Sequence, residues 1–185
     1  MNFIYPLGIG VIVIAVLLFV GLTYNALVQL RNKVKEAFST MDVYLKKRYD
    51  LIPNLVDVVK GYAKHETETL EQVTKMRTES QKGGLNTAIS NEMKIGDALQ
   101  SLFVVIEKYP DLKANTNFLD LQEQLSKMEE EIAFSRRYYN GSVREYNNKC
   151  QMFPLNLIAG MFGFKTLPMY SVDSNQERQV VDVKL

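Results

Sequence analysis

The chain has 185 residues, with 22 basic and 21 acidic side chains and a formal net charge of +1 at pH 7. This balance leaves no electrostatic footprint for nucleic acid, and the single cysteine, Cys150, excludes an intrachain disulfide. With 10 Gly, 5 Pro, no Trp and long runs free of helix breakers, the composition predicts a mostly helical protein.

The first predicted element is an apolar helix from Phe3 to Leu22, and no charged side chain occurs before Arg31. Twenty residues of α-helix span about 30 Å, the thickness of a bilayer's hydrocarbon core. A signal peptide fits less well, because no basic residue precedes the run and no A-x-A-like cleavage site follows it. We therefore predict a retained anchor, with residues 1–24 forming a short outer N-terminus and a transmembrane helix.

The early positive charges all follow this span, namely Arg31, Lys33, Lys35, Lys46, Lys47 and Arg48. Positively charged flanks are retained on the cytoplasmic side of a membrane. The sequence thus predicts a single-pass protein of the cell (inner) membrane, with its N-terminus outside and the following domain in the cytoplasm.

Residues 25–164 are predicted to form a helical bundle domain. Its first helix continues the membrane span to about Tyr49 and then meets Asp50-Leu51-Ile52-Pro53. Proline is tolerated in a first turn but not in a helix interior. A turn and a kink both fit this position, and we favour a turn.

Two further helices are predicted, from about Ile52 to Gln81 and from about Thr87 to Lys108. Gly83-Gly84 and Pro110 end them. Glu66 falls on the apolar stripe of the first of these two helices, so we expect a specific partner for its carboxylate, such as a basic side chain or a tyrosine hydroxyl.

The last long helix has the most regular pattern. Its apolar positions alternate steps of three and four, as in a coiled coil, and Asn115 and Asn117 precede it as candidate caps. The positions are Phe118, Leu121, Leu125, Met128, Ile132, Ser135, Tyr139, Val143, Tyr146, Cys150 and Phe153. The predicted fold class is therefore all-α, with an N-terminal transmembrane helix followed by an antiparallel four-helix bundle.

Apolar residues crowd together between Leu155 and Phe164. This cluster either closes the open end of the bundle, which we favour, or docks on a membrane or another subunit. No period persists over residues 165–185, which are predicted to be a C-terminal tail that is ordered only when something binds it.

No set of catalytic residues is recognisable. His65 is the only histidine, so neither a di-iron pair of Glu-x-x-His motifs nor a two-histidine zinc helix can form. Gly83-Gly84 lacks the Lys-Ser/Thr of a phosphate-binding loop. The sequence predicts no catalytic residues, no metal, no cofactor and no enzymatic activity, and a hydrolytic activity near His65 and Glu66 is the least favoured alternative.

Two groups of residues are candidates for interactions. Arg137, Tyr138 and Tyr139, together with Phe162 and Phe164, combine the residue types common in protein interfaces, although tyrosines on a bundle seam are equally ordinary core residues. The basic triplet Lys46, Lys47 and Arg48 is a candidate lipid-facing surface, its alternative being an exposed helix end.

Several separated blocks resemble the LemA family. They are Tyr24-Asn25-x-Leu27-Val28-x-Leu30-Arg31-Asn32-x-Val34, Asp42-Val43-x-Leu45-Lys46-Lys47-Arg48-x-Asp50-Leu51-Ile52-Pro53-Asn54-Leu55-Val56, Lys60-Gly61-Tyr62-x-x-His65-Glu66, Tyr109-Pro110-x-Leu112-Lys113-Ala114-Asn115, Phe118-x-x-Leu121-Gln122, Arg137-x-Tyr139-Asn140, Val143-x-x-Tyr146-Asn147 and Phe153-Pro154. The resemblance extends from Tyr24 to Phe164, and Phe38 departs from it by standing where the family usually has Trp.

The resemblance implies a membrane-anchored helical bundle with the N-terminus outside and no established enzymatic activity. Some relatives are associated with membrane organisation and with specialised membrane compartments. We therefore expect a membrane-anchored scaffold or adaptor that forms a homo-oligomer or binds other membrane proteins, and the alternative is a module that binds anionic lipid surfaces.

Overall fold

The computed structural model describes residues 4–80 and 85–170, and over these ranges the chain is helical without strands. The helices are α1 (Ile4–Tyr62), α2 (Thr67–Ser80), α3 (Leu85–Ile106), α4 (Pro110–Lys113), α5 (Thr116–Gln151) and α6 (Leu155–Met161). The predicted all-α class is confirmed. The predicted Gly83-Gly84 break and residues 171–185 of the predicted tail lie outside the described residues.

Helix α1 begins as a fully apolar element. Its most apolar window has a mean hydropathy of 2.5, and only 11% of that window is buried in the chain. The side chains from Ile9 to Leu18 are exposed, unlike those of a core helix in a soluble protein. Among the described residues this is the one helix that is long and apolar enough to cross a membrane.

The expected turn at Pro53 is wrong, because α1 continues through this residue to Tyr62. Proline has no N–H to donate to the carbonyl four residues earlier, which belongs to Tyr49. That carbonyl instead accepts a hydrogen bond from Nε of Arg77 in α2, at 2.9 Å. A donor from another helix thus replaces the missing bond and lets α1 continue.

The predicted helix from Ile52 to Gln81 is also wrong, because the chain breaks between Tyr62 and Thr67. The last helical bond runs from the N–H of Ala63 to the carbonyl of Val59, at 2.8 Å. No proline or residue of positive φ marks this break. It reverses the chain so that α2 returns along α1, as the contact between Arg77 and Tyr49 requires.

The chain forms two compact units, and α1 and α5 contribute to both. In the first unit (residues 1–45 and 128–169), α1 and α5 are antiparallel. Lys33 Nζ lies 2.8 Å from Glu145 Oε2, and further along α1 the ring of Phe38 lies 6.2 Å from that of Tyr139. Tyr44 then hydrogen-bonds Glu131.

The second unit (residues 46–127 and Tyr170) contains the end of α1, α2, α3, α4 and the start of α5. Helices α2 and α3 are antiparallel, because Asn91 Nδ2 donates to the Glu79 carbonyl at one end and Tyr109 lies beside Glu66 at the other. Asn115 caps α5 by accepting from the Phe118 N–H at 3.1 Å, which confirms that predicted cap.

The predicted seam of α5 is confirmed over most of its length. Nine of its eleven positions are buried, Met128 is half-buried, and Phe153 is the exception because it lies beyond the end of the helix. A sustained step of three and four residues keeps one stripe facing neighbouring helices, which explains why this prediction succeeded.

The predicted tail begins with a segment, residues 165–170, that is hydrogen-bonded to α5 of the same chain. The carbonyls of Lys165 and Pro168 accept hydrogen bonds from the hydroxyls of Tyr146 and Tyr139. Asn147 makes two bonds to the backbone of Leu167, at 2.8 and 2.9 Å. This segment therefore lies against α5 without any period of its own, because α5 supplies its hydrogen-bond partners.

Candidate interaction surfaces

His65 and Cys150, the two residues most suited to catalysis, lie in different surroundings. His65 is exposed and Cys150 is buried, and the described residues contain no group of three or more His, Cys, Asp and Glu side chains suited to a metal ion. The other candidate residues belong to the predicted interaction surfaces.

Three aromatic rings meet at the end of the apolar part of α1. The ring of Tyr24 lies 4.9 Å from that of Phe162 and 5.6 Å from that of Phe164, both in edge-to-face geometry. We call Tyr24, Phe162 and Phe164 the exit cluster, because Tyr24 follows directly on the predicted membrane span. Two candidate interface residues thus have a partner within their own chain.

The end of α6 places the two phenylalanines of the exit cluster. The N–H of Gly163 donates to the Gly160 carbonyl and that of Phe164 to the Ala159 carbonyl, which is the Schellman arrangement. Gly163 has φ 71°, a conformation that other residues rarely adopt. This reversal brings Phe162 and Phe164 to either side of the turn, where both reach Tyr24.

Much of the apolar cluster predicted from the sequence faces outward. Ile158 and Ala159 are buried, but Leu157, Met161 and Phe162 are exposed, as are Met152 and Phe153 just before the cluster. No charged side chain occurs between Gln151 and Phe164. The sequence favoured a cluster that closes the open end of the bundle. Only the buried side of α6 fits that role.

A second exposed surface lies on α5. Phe134, Arg137 and Tyr138 are all exposed and share a helix face, since they are three and four residues apart. We call them the α5 patch. Arg137 and Tyr138 were predicted from the sequence as interface residues, but Phe134 was not. The signal for Phe134 was its spacing of three and four residues from them.

Tyr139 is a core residue and not part of this surface. It is fully buried, its ring packs on Phe38, and its hydroxyl donates to the Pro168 carbonyl at 2.9 Å. Burial raises the pKa of its hydroxyl. The sequence left two equal alternatives for this tyrosine, an interface residue or a core residue, and the structure supports the core residue.

The basic triplet does not form one lipid-facing surface. Lys46 and Lys47 are exposed, but Arg48 is 0% exposed and its Nη1 lies 3.3 Å from Glu92 Oε1. The Arg48 guanidinium also lies 5.7 Å from the ring centre of Tyr49. The candidate role of Arg48 at a lipid surface is therefore wrong, because a buried charge needs a partner inside the protein.

Glu66 has a tyrosine hydroxyl as its partner, one of the partners expected from the sequence. The hydroxyl of Tyr109 donates to Glu66 Oε1 at 3.3 Å, and the pKa of Tyr109 is raised by burial and by this carboxylate. However, Glu66 is half-buried at the break before α2, not on the stripe of a continuous helix. This site holds together the start of α2 and the turn after α3.

Comparison with known proteins gives consistent matches. The model of the LemA family matches residues 37–185. The chain is 29% identical to Protein LemA of Metamycoplasma hominis, over 86% of this chain and 72% of that protein. It is 26% identical to Magnetosome protein MamQ 2 of Paramagnetospirillum magneticum, over 83% and 67%, and 25% identical to Magnetosome protein MamQ of Magnetospirillum gryphiswaldense, over 80% and 64%.

Proposed function

Because the chain belongs to the LemA family, we propose that it is a membrane-anchored helical scaffold that assembles with other copies of itself and contributes to membrane organisation. One observation carries this proposal. The same helix, α1, is apolar and exposed over its first part and supplies core residues such as Leu27, Val34 and Met41 over its next part. The anchor is thus a direct extension of the helical domain.

The proposed role is not enzymatic. The names of the matched relatives are not enzyme names, and two of the three are called magnetosome proteins. Those names are in keeping with a role in membrane organisation. We also propose that the N-terminus lies outside and the helical domain in the cytoplasm, because the positive charges nearest the span follow it.

The α5 patch is the surface that we propose for self-assembly. Arginine and aromatic side chains are the types that most often dominate the binding energy of protein interfaces. Phe134 is 63% exposed, and a large exposed aromatic beside an arginine is better accounted for by a partner than by the fold of the single chain. Symmetric pairing of two such patches is the simplest closed assembly.

The mass of the particle extracted in mild detergent tests the proposal. A multiple of the 21.2 kDa chain is expected for the wild type, falling to one chain for Phe134→Ser/Tyr138→Ser. Leu119→Ser, which also removes an exposed apolar side chain from α5, is the control and keeps the full mass. A wild-type protein that is extracted as a single chain contradicts self-assembly.

A further inference from the structure

The exposed apolar residues around α6 form a surface that the scaffold role leaves unexplained. Phe153 and Met161 are 79% and 78% exposed, and Met152, Leu157 and Phe162 are also exposed. All of them belong to the uncharged run from Gln151 to Phe164. An apolar surface of this kind is usually covered by something other than water.

The position of this surface identifies what covers it. Through Phe162 and Phe164, the segment is attached to Tyr24, two residues beyond the last residue of the predicted span. Tyrosine is typical of the boundary between hydrocarbon and headgroups. The residues around α6 therefore lie at the depth where α1 leaves the bilayer.

The charges around the segment agree with this depth. Lys149 and Lys165 border the uncharged run, and both are exposed. Arg31 is also exposed, and it lies close enough to Tyr146 for its positive charge to act on the pKa of the tyrosine hydroxyl. Basic side chains at the borders of an apolar segment are well placed to bind lipid phosphates.

We propose that residues 152–164 form a second membrane contact, inserted into the interfacial layer of the bilayer beside α1. The exposed side chains of α6 and its flanks enter the boundary between headgroups and acyl chains, while Ile158 and Ala159 face the protein. The contact fixes the domain to the membrane at two points. This inference rests on the membrane anchor of the proposed function, but it does not depend on self-assembly or on which side of the membrane the domain lies.

Because the chain contains no Trp, single tryptophan substitutions report the depth of individual positions. Phe153→Trp and Met161→Trp test the proposed contact, and Leu17→Trp tests the span. Val43→Trp is the matched control, since Val43 is also exposed but belongs to no proposed interface. It is nineteen residues beyond Tyr24 in α1, or about 28 Å along the helix.

The full-length variants are reconstituted in phosphatidylcholine vesicles with brominated acyl chains, and circular dichroism verifies that each is folded. Bromines near the headgroup end of the chains are expected to reduce the emission of Phe153→Trp and Met161→Trp by about twofold, because interfacial segments lie about 5–10 Å deep. Val43→Trp should keep its emission.

Three outcomes would overturn the inference in distinguishable ways. If Leu17→Trp is quenched but the two α6 positions are not, the anchor stands and the surface is covered by a second copy or another protein. Equal quenching at Val43 would show that lipid contact is not specific to α6. If Leu17→Trp is also unquenched, the membrane anchor itself is wrong.

Discussion

Two ion pairs of this protein differ in burial, and burial decides how much the loss of one partner affects stability. The side chains of Arg48 and Glu92 are 0% and 6% exposed, whereas those of Lys33 and Glu145 are 42% and 50% exposed. Water screens the second pair and is largely excluded from the first. Removal of one partner should therefore matter only where the other is left buried.

Arg48→Met is expected to destabilise the protein by about 3–5 kcal/mol, because it removes the guanidinium that pairs with the buried Glu92 carboxylate. Arg48→Met/Glu92→Met should recover most of this loss, since neither charge remains. Lys33→Met is the exposed control and should leave the thermal midpoint nearly unchanged. Equal effects of Arg48→Met and Lys33→Met would contradict the importance of burial here.

Tyr146 makes the stability of the folded protein depend on pH in the alkaline range. Its hydroxyl donates to the Lys165 carbonyl at 3.0 Å, and burial raises its pKa from the ordinary 10.0 to about 12. The folded protein holds this proton more tightly than the unfolded chain does. Its contribution to stability is therefore complete below pH 10 and is lost as the pH rises through about 12.

Denaturant midpoints measured between pH 10 and about 12 should fall more steeply for the wild type than for Tyr146→Phe. The phenylalanine variant has no proton to lose and no hydrogen bond to Lys165. Tyr138→Phe, which alters an exposed tyrosine on the same helix, should follow the wild-type profile. Parallel profiles for all three proteins would show that the Tyr146 hydroxyl stays neutral over this range or that its ionisation does not affect stability.

At the level of elements, α1 and the segment 165–170 both depend on hydrogen bonds from other parts of the chain. Pro53 deprives the Tyr49 carbonyl of its helical donor, and Arg77 replaces it. Residues 165–170 have no helix of their own and take their partners from α5. In both places a local weakness is compensated by a distant residue.

A double-mutant cycle tests the compensation at Pro53. Arg77→Leu should cost about 1–3 kcal/mol in the wild type, because the buried Tyr49 carbonyl loses its donor. The cost should be smaller in the Pro53→Ala background, where the new N–H can donate to that carbonyl. We expect a coupling above about 0.5 kcal/mol, and additive effects would mean that Arg77 contributes only its packing.

Asn147→Ala should release residues 165–170 from α5. The substitution removes both bonds to Leu167, each worth about 1 kcal/mol. Trypsin should then cleave after Lys165 faster than in the wild type. Asn148→Ala, at the neighbouring exposed position, is the control and should leave the cleavage rate unchanged; a similar rate for all three proteins would contradict this role of Asn147.

At the level of the whole molecule, the proposed orientation is open to direct test. Reporter fusions at Leu185 should be active in the cytoplasm, and fusions before Phe3 should be active outside, because the positive flank is retained inside. Reversal of the early charges at Arg31, Lys33 and Lys35 should weaken this bias. A C-terminal reporter accessible from outside intact cells would contradict the proposed topology.

The sequence by itself determined the features that depend on composition and period. The apolar N-terminal helix, the all-α class and the α5 seam all follow from runs and spacings that lie along one stretch of chain. Asn115 was likewise recognisable as a cap from its position before a helix. The exit cluster was only partly predictable, since Phe162 and Phe164 were identified but their contact with Tyr24 was not.

The tertiary structure alone decided the continuity of α1 at Pro53, the break before α2 and the burial of Arg48. Arg77 is 28 residues from Tyr49, and Glu92 is 44 residues from Arg48. A proline is tolerated or a charge buried only when such a distant partner is brought into place. Because no local pattern carries the identity of these partners, their effect on the chain becomes visible only once the helices are packed.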